Sequence, residues 1–139
     1  MSFPHVSYLA VLVSGIVIFL LGGIWYSKAL FARPWIALMG KSEEELKAGA
    51  GPMPVNLLVA FLCGLVAAYV LAALMNHHEP VTLARGAKLG AVVWLGFTAT
   101  SSLATATFSS IPKRLWLINA GYNLVSYVLA GLILAYWHW

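Results

Sequence analysis

Four histidines are the side chains of this 139-residue chain best suited to holding a metal. His5 stands near the start, His77 and His78 are adjacent, and His138 is next to last. Imidazole is the commonest transition-metal ligand and also ligates haem iron. Glu79 offers an oxygen ligand, or a partner that orients a ligating imidazole. The plainer alternative is a set of polar residues at the ends of apolar segments. The metal reading requires these distant positions to converge.

A second group is polar but uncharged. Thr98, Thr100, Ser101, Ser102, Thr105 and Thr107 are clustered, followed by Ser109 and Ser110. Asn119 and Asn123 come next, one helical turn apart, then Ser126 and Tyr127. Asn56, Trp25 and Tyr26 are expected at the same level of the fold. Amides are costly in hydrocarbon unless they find partners. Hydroxyls can return a bond to the carbonyl four residues back, which an asparagine does less easily. One reading is interhelical glue, each bond contributing roughly 0.6–2 kcal/mol. The other is a polar pocket of Trp25, Tyr26, Asn56, Thr98, Ser102, Thr105, Asn119 and Asn123 for a neutral solute or a lipid headgroup.

Much chemistry is absent. The chain has no Asp, and its four acids, Glu43, Glu44, Glu45 and Glu79, lie outside every apolar run. Proton- or sodium-coupled transport commonly uses an intramembrane carboxylate. Small four-helix multidrug exporters place a glutamate in the first helix, where this chain reads Val11-Leu12-Val13-Ser14-Gly15-Ile16. There is no Gly-rich phosphate loop, no His-Glu-x-x-His and no Cys-x-x-Cys. The single Cys63 excludes a disulfide within the chain.

The elements that position these residues follow from composition. The chain is 62% hydrophobic and 9% charged, against roughly 45–50% and about 25% in soluble domains. Four apolar runs, 6–26, 55–75, 89–108 and 115–136, are uncharged and long enough to cross a bilayer. The fold expected is all-α: one domain over 1–139, a polytopic membrane protein of four transmembrane helices. Continuous runs argue against a β-barrel. The first is too long, and too poor in preceding cations, for a cleaved signal peptide.

Between helices one and two, Pro34 suits a helix start and Gly40 a helix end, with Trp35, Ile36, Leu38 and Met39 between them. A short interfacial helix is expected there. Ser42 and Glu45 then form a capping box for a second short helix. Short loops predict antiparallel hairpins of helices two with three and three with four.

Lys28, Arg33, Lys41, Lys47, Lys113 and Arg114 share one end of the bundle, and Arg85 and Lys88 the other. The positive-inside rule places the six-cation end in the cytoplasm, with both termini outside. No basic surface is left over for nucleic acid. Small residues form stripes for close packing: Gly15 and Gly22 on helix one, Ala60, Gly64, Ala68 and Ala72 on helix two, Gly96 on helix three. Gly86 and Gly90 lie at the outer end of helix three. Such stripes serve packing within the bundle or a homo-oligomer.

Gly22-Gly23-Ile24-Trp25-Tyr26-Ser27, then Leu30-Phe31 and Trp35, resembles the first signature of a bacterial membrane family, domain of unknown function 1761. Trp94-Leu95-Gly96-Phe97, Phe108, Pro112 and Leu117-Ile118-Asn119-Ala120-Gly121-Tyr122 resemble its second. The likeness spans nearly the whole chain. It implies a four-helix integral membrane protein and no particular activity. Many members carry an acid after the position of Phe108, where this chain has Ser109, and an Asn in mid-helix three, where it has Leu103-Ala104.

The expectation is a non-enzymatic protein of the bacterial inner membrane. Its role would be lipid or small-molecule binding, or service as an accessory subunit of a larger membrane complex. Its partners would be the lipid bilayer and further subunits or copies of itself, and no cofactor is expected. Alternatives are an oligomeric channel or transporter for a neutral solute, and a transition-metal or haem protein using the outer histidines.

Overall fold

The computed structural model describes residues 5–76 and 82–137. The helices are α1 (Tyr8–Trp25), α2 (Ala32–Met39), α3 (Glu43–Gly49), α4 (Met53–Met75), α5 (Leu83–Val93), α6 (Thr100–Phe108) and α7 (Lys113–Tyr136). A π-helical turn, Trp94–Ala99, joins α5 to α6 without a break. Four helical spans are long and apolar enough to cross a membrane: Tyr8–Trp25, Met53–Met75, Leu83–Phe108 and Lys113–Tyr136.

Local chemistry sets the boundaries. The Ser7 hydroxyl caps α1, accepting from the Ala10 amide at 3.3 Å. Pro34 sits in the first turn of α2, where its missing N–H costs nothing. Gly40 ends α2 in the left-handed conformation, φ 71°, which glycine adopts without a steric penalty. Ser42 caps α3: its hydroxyl accepts from the Glu45 amide at 3.1 Å and donates to the Glu45 carboxylate at 3.3 Å.

Three spans begin earlier than composition predicts, the second by two residues, at Met53. The third starts at Leu83 rather than 89, because the Thr82 hydroxyl caps it by accepting from the Arg85 amide at 3.2 Å. Arg85 and Lys88 therefore lie on the helix, not in a loop. The fourth starts at Lys113, directly after Pro112. A rule that ends a span at its first charge misses a basic terminal turn, whose long side chains reach back to water.

The packing order also differs from the expected hairpins. α7 is the hub: it packs along α5 and α1 and, more lightly, α4. α1 packs along both α4 and α7. The predicted pairing of α5 and α6 with α7 is present, but α4 and α5 meet only slightly although they follow each other in sequence. Backbone approach explains why. A Cβ on Gly86 would clash with the Gly131 carbonyl, one on Gly131 with the Gly86 carbonyl, and one on Gly90 with the Tyr127 carbonyl. These glycines let α5 and α7 touch backbone to backbone, and α4 offers α5 no equivalent seam.

The core lies toward the end of the bundle opposite the six cations. Val6, Ala10, Val11, Leu71, Ala72, Met75, Ala130 and Leu134 are buried together there. Leu9, Leu20, Leu58, Val66, Leu95 and Phe97 face outward. That inversion suits hydrocarbon as the surrounding solvent.

Candidate functional site

At the basic end, α1, α2 and α7 converge on a node of aromatic side chains. α1 ends at Trp25, and the chain turns at once: the Phe31 amide donates to the Trp25 carbonyl at 3.0 Å. The turn stacks Phe31 on Trp25, ring centres 4.8 Å apart, and sets Trp35 of α2 edge-on to Tyr26 at 6.0 Å. From α7, Tyr122 stands edge-on to Tyr26 at 5.6 Å.

The polar tips of Trp25, Tyr26 and Tyr122 have partners. The Trp25 indole N–H donates to the Ile118 carbonyl at 3.0 Å, and the Tyr26 hydroxyl donates to Asn119 Oδ1 at 2.7 Å. The Tyr122 hydroxyl donates to the Ile18 carbonyl at 2.9 Å. From the other side, the Trp94 indole N–H donates to the Ala120 carbonyl at 2.9 Å. Two glycines make room. A Cβ on Gly121 would lie 3.3 Å from the Trp25 ring, and one on Gly22 3.0 Å from the Tyr122 hydroxyl. The Ile118-Asn119-Ala120-Gly121-Tyr122 stretch thus receives an indole on each flank and a phenol from α1.

Two grooves open beside this node, and Tyr26 lines both. The first, about 750 Å³, lies between the basic halves of α1 and α4 and is almost wholly apolar. Leu20, Gly23, Ile24, Leu57, Ala60 and Tyr122 line it. Phe19 lines it too, and makes an edge-to-face contact with Phe61 of α4 at 5.9 Å. The second, about 710 Å³, lies under α2 and α3 and carries Ser27, Lys28, Glu43, Lys47 and Asn119 on apolar walls of Trp35, Ile36, Leu46 and Met53. Each volume falls within the roughly 300–1,000 Å³ range of ligand pockets.

The candidate polar residues do not form one site. Trp25, Tyr26 and Asn119 meet in the node. Asn56 instead donates to the Ala50 carbonyl at 2.7 Å, tying the start of α4 to the loop before it. Thr98 donates to the Tyr127 hydroxyl at 3.2 Å, on the α5–α7 side. The Trp116 indole N–H donates to the Ser102 hydroxyl at 2.9 Å, and that hydroxyl itself donates to the Thr98 carbonyl at 2.5 Å. Thr105 is exposed. Asn123 is half-buried, one turn beyond Asn119 on α7.

The hydroxyls have a local task that composition does not reveal. Thr100 donates to the Gly96 carbonyl at 2.8 Å, and Ser101 to the Phe97 carbonyl. With Ser102 on Thr98, three successive carbonyls of the π-helical turn each receive a hydroxyl from four residues on. Back-bonding of this kind satisfies the hydroxyls themselves, which hydrocarbon cannot solvate.

The small residues divide as well. Gly15 and Gly22 of α1 face different neighbours: Leu65 of α4 and Tyr122 of α7. Gly64, Ala68 and Ala72 are buried, whereas Ala60 is exposed and lines the apolar groove. Gly96, expected to pack, has no neighbour within 4 Å of a built Cβ among the described residues. The π-helical turn rotates it off the α7 face. Gly131 was missed as a packing residue, although Ala135 four positions on offered the same small-residue spacing.

Of the four histidines, His5 is exposed, and its carbonyl accepts a hydrogen bond from the Asn76 side chain. His77, His78 and His138, with Glu79, lie outside the described residues. Among the described residues no group of three or more His, Cys, Asp or Glu could hold a metal.

No curated protein and no solved structure matches the chain. One family profile does, "Protein of unknown function (DUF1761)", over residues 9–135. That match takes in the whole node and both grooves, and the chain belongs to the DUF1761 family.

Proposed function

We propose that this is a non-enzymatic protein of the bacterial inner membrane that binds one lipid or similar amphiphile beside Tyr26. In this reading the six-cation end faces the cytoplasm and both termini lie on the other side, as the distribution of Lys and Arg favours. The carrying observation is the pair of grooves that share Tyr26, one almost wholly apolar at span depth and one with charged side chains on apolar walls at the basic end. An amphiphile presents the same two halves in the same order.

Catalysis has little support: no carboxylate lies in a span, and the Trp25, Tyr26 and Tyr122 tips are engaged with backbone or with Asn119. The test is native mass spectrometry of protein released from membranes in mild detergent. The wild type should retain lipid. Gly23→Leu should lose it while its melting temperature holds, since the site has open space at Gly23 and the new side chain would fill the apolar groove. Wild-type protein that carries no lipid, and that lipid does not stabilise, overturns the reading. The same spectra report copy number and partner subunits, and so test assembly into a homo-oligomer or a larger complex.

A further inference from the structure

We propose that the occupant is an anionic phospholipid with a singly charged phosphodiester. Lys28, Lys47 and the Asn119 amide N–H hold the phosphate, and an acyl chain crosses Tyr26 into the apolar groove. This rests on the binding reading above and specifies the headgroup.

The two lysines come from separate segments, Lys28 from the turn after α1 and Lys47 from α3, and the fold brings both to one groove. Among the described residues neither has an ion-pair partner. Asn119 is oriented from outside: its Oδ1 accepts the Tyr26 hydroxyl at 2.7 Å. Its Nδ2 donates to no described residue, and Asn119 lines the groove. Two ammonium groups and an amide N–H are all donors, which matches phosphate oxygens and not a cationic or apolar head.

Glu43 on the same rim limits the charge. Two cations against one carboxylate leave a single net positive charge, enough for a phosphodiester and too little for a phosphomonoester dianion. Tyr26 separates the two grooves and bonds to Asn119, so it marks where the headgroup ends and the chain begins.

The test titrates full-length protein in detergent with phosphatidylglycerol, phosphatidylethanolamine or uncharged diacylglycerol, read by native mass spectrometry. Phosphatidylglycerol should bind best. Lys28→Gln and Lys47→Gln should each weaken it about fivefold and leave diacylglycerol unchanged. Glu43→Gln should strengthen it. All three positions are exposed, so folding is not at stake. Equal binding of the three lipids, or phosphatidylglycerol binding that ignores both lysine variants, overturns the headgroup assignment while leaving lipid binding intact. Failure of all three lipids to bind the wild type removes both readings.

Discussion

The two ends of α7 are held by opposite means. Toward its C-terminus, Gly131 lies against Gly86, and the Tyr127 carbonyl against Gly90, with no space for a side chain between backbones. Toward its N-terminus the contacts are side chain to backbone: Trp25 to Ile118, Trp94 to Ala120, and Tyr122 back to Ile18. The glycine seam closes the bundle and leaves no room for a ligand. The aromatic node spaces the helices by whole side chains, and grooves open beside it. Close packing and open groove space are thus placed at different depths of one helix.

Breaking the seam should have the largest effect. Gly131→Leu and Gly86→Leu should each destabilise by about 3 kcal/mol or more, since backbone rather than a movable side chain is in the way. Unfolding by denaturant in detergent measures it, and Gly23→Leu, with open space, is the control. A loss at Gly131 no greater than at Gly23 would remove the seam from the account.

Loosening the node should cost less. Trp25→Phe and Tyr122→Phe keep the rings and remove one donor each, and should cost about 0.6–1.7 kcal/mol in the same assay. Both should alter lipid retention more than Thr100→Ala does, because only the node borders the grooves.

The Tyr26–Asn119 bond sharpens the contrast. A double-mutant cycle of Tyr26→Phe and Asn119→Leu should give a coupling of about 0.5–2 kcal/mol. A coupling near zero would mean that the 2.7 Å bond adds nothing to the node. The smallest effect belongs to neither region. Thr100→Ala and Ser101→Ala remove exposed hydroxyls bonded within their own helix, and each should change stability by under about 0.5 kcal/mol.

Legibility followed the range of the interaction. The Ser42 and Pro34 signals gave α2 and α3, because caps and proline act over three or four residues. Trp25, Tyr26 and Asn119 were visible as polar groups out of place in apolar sequence. That they meet each other, while Asn56 turns to Ala50 and Thr98 to Tyr127, was not visible. Those choices depend on which helix lies beside which. The π-helical turn left no mark in composition, yet it decides that Gly96 faces outward and that Trp94 reaches Ala120.

The sequence alone determined an all-α chain of four apolar spans with most of its cations at one end, because burying a charge or an unpaired backbone in hydrocarbon is too costly to permit alternatives. The tertiary structure alone decided that α7 is the hub, that Gly131 seals it to α5, and that Tyr26 divides two grooves. In lipid every span is apolar all round, so hydrophobicity does not choose among neighbours. Shape complementarity and a few hydrogen bonds make that choice.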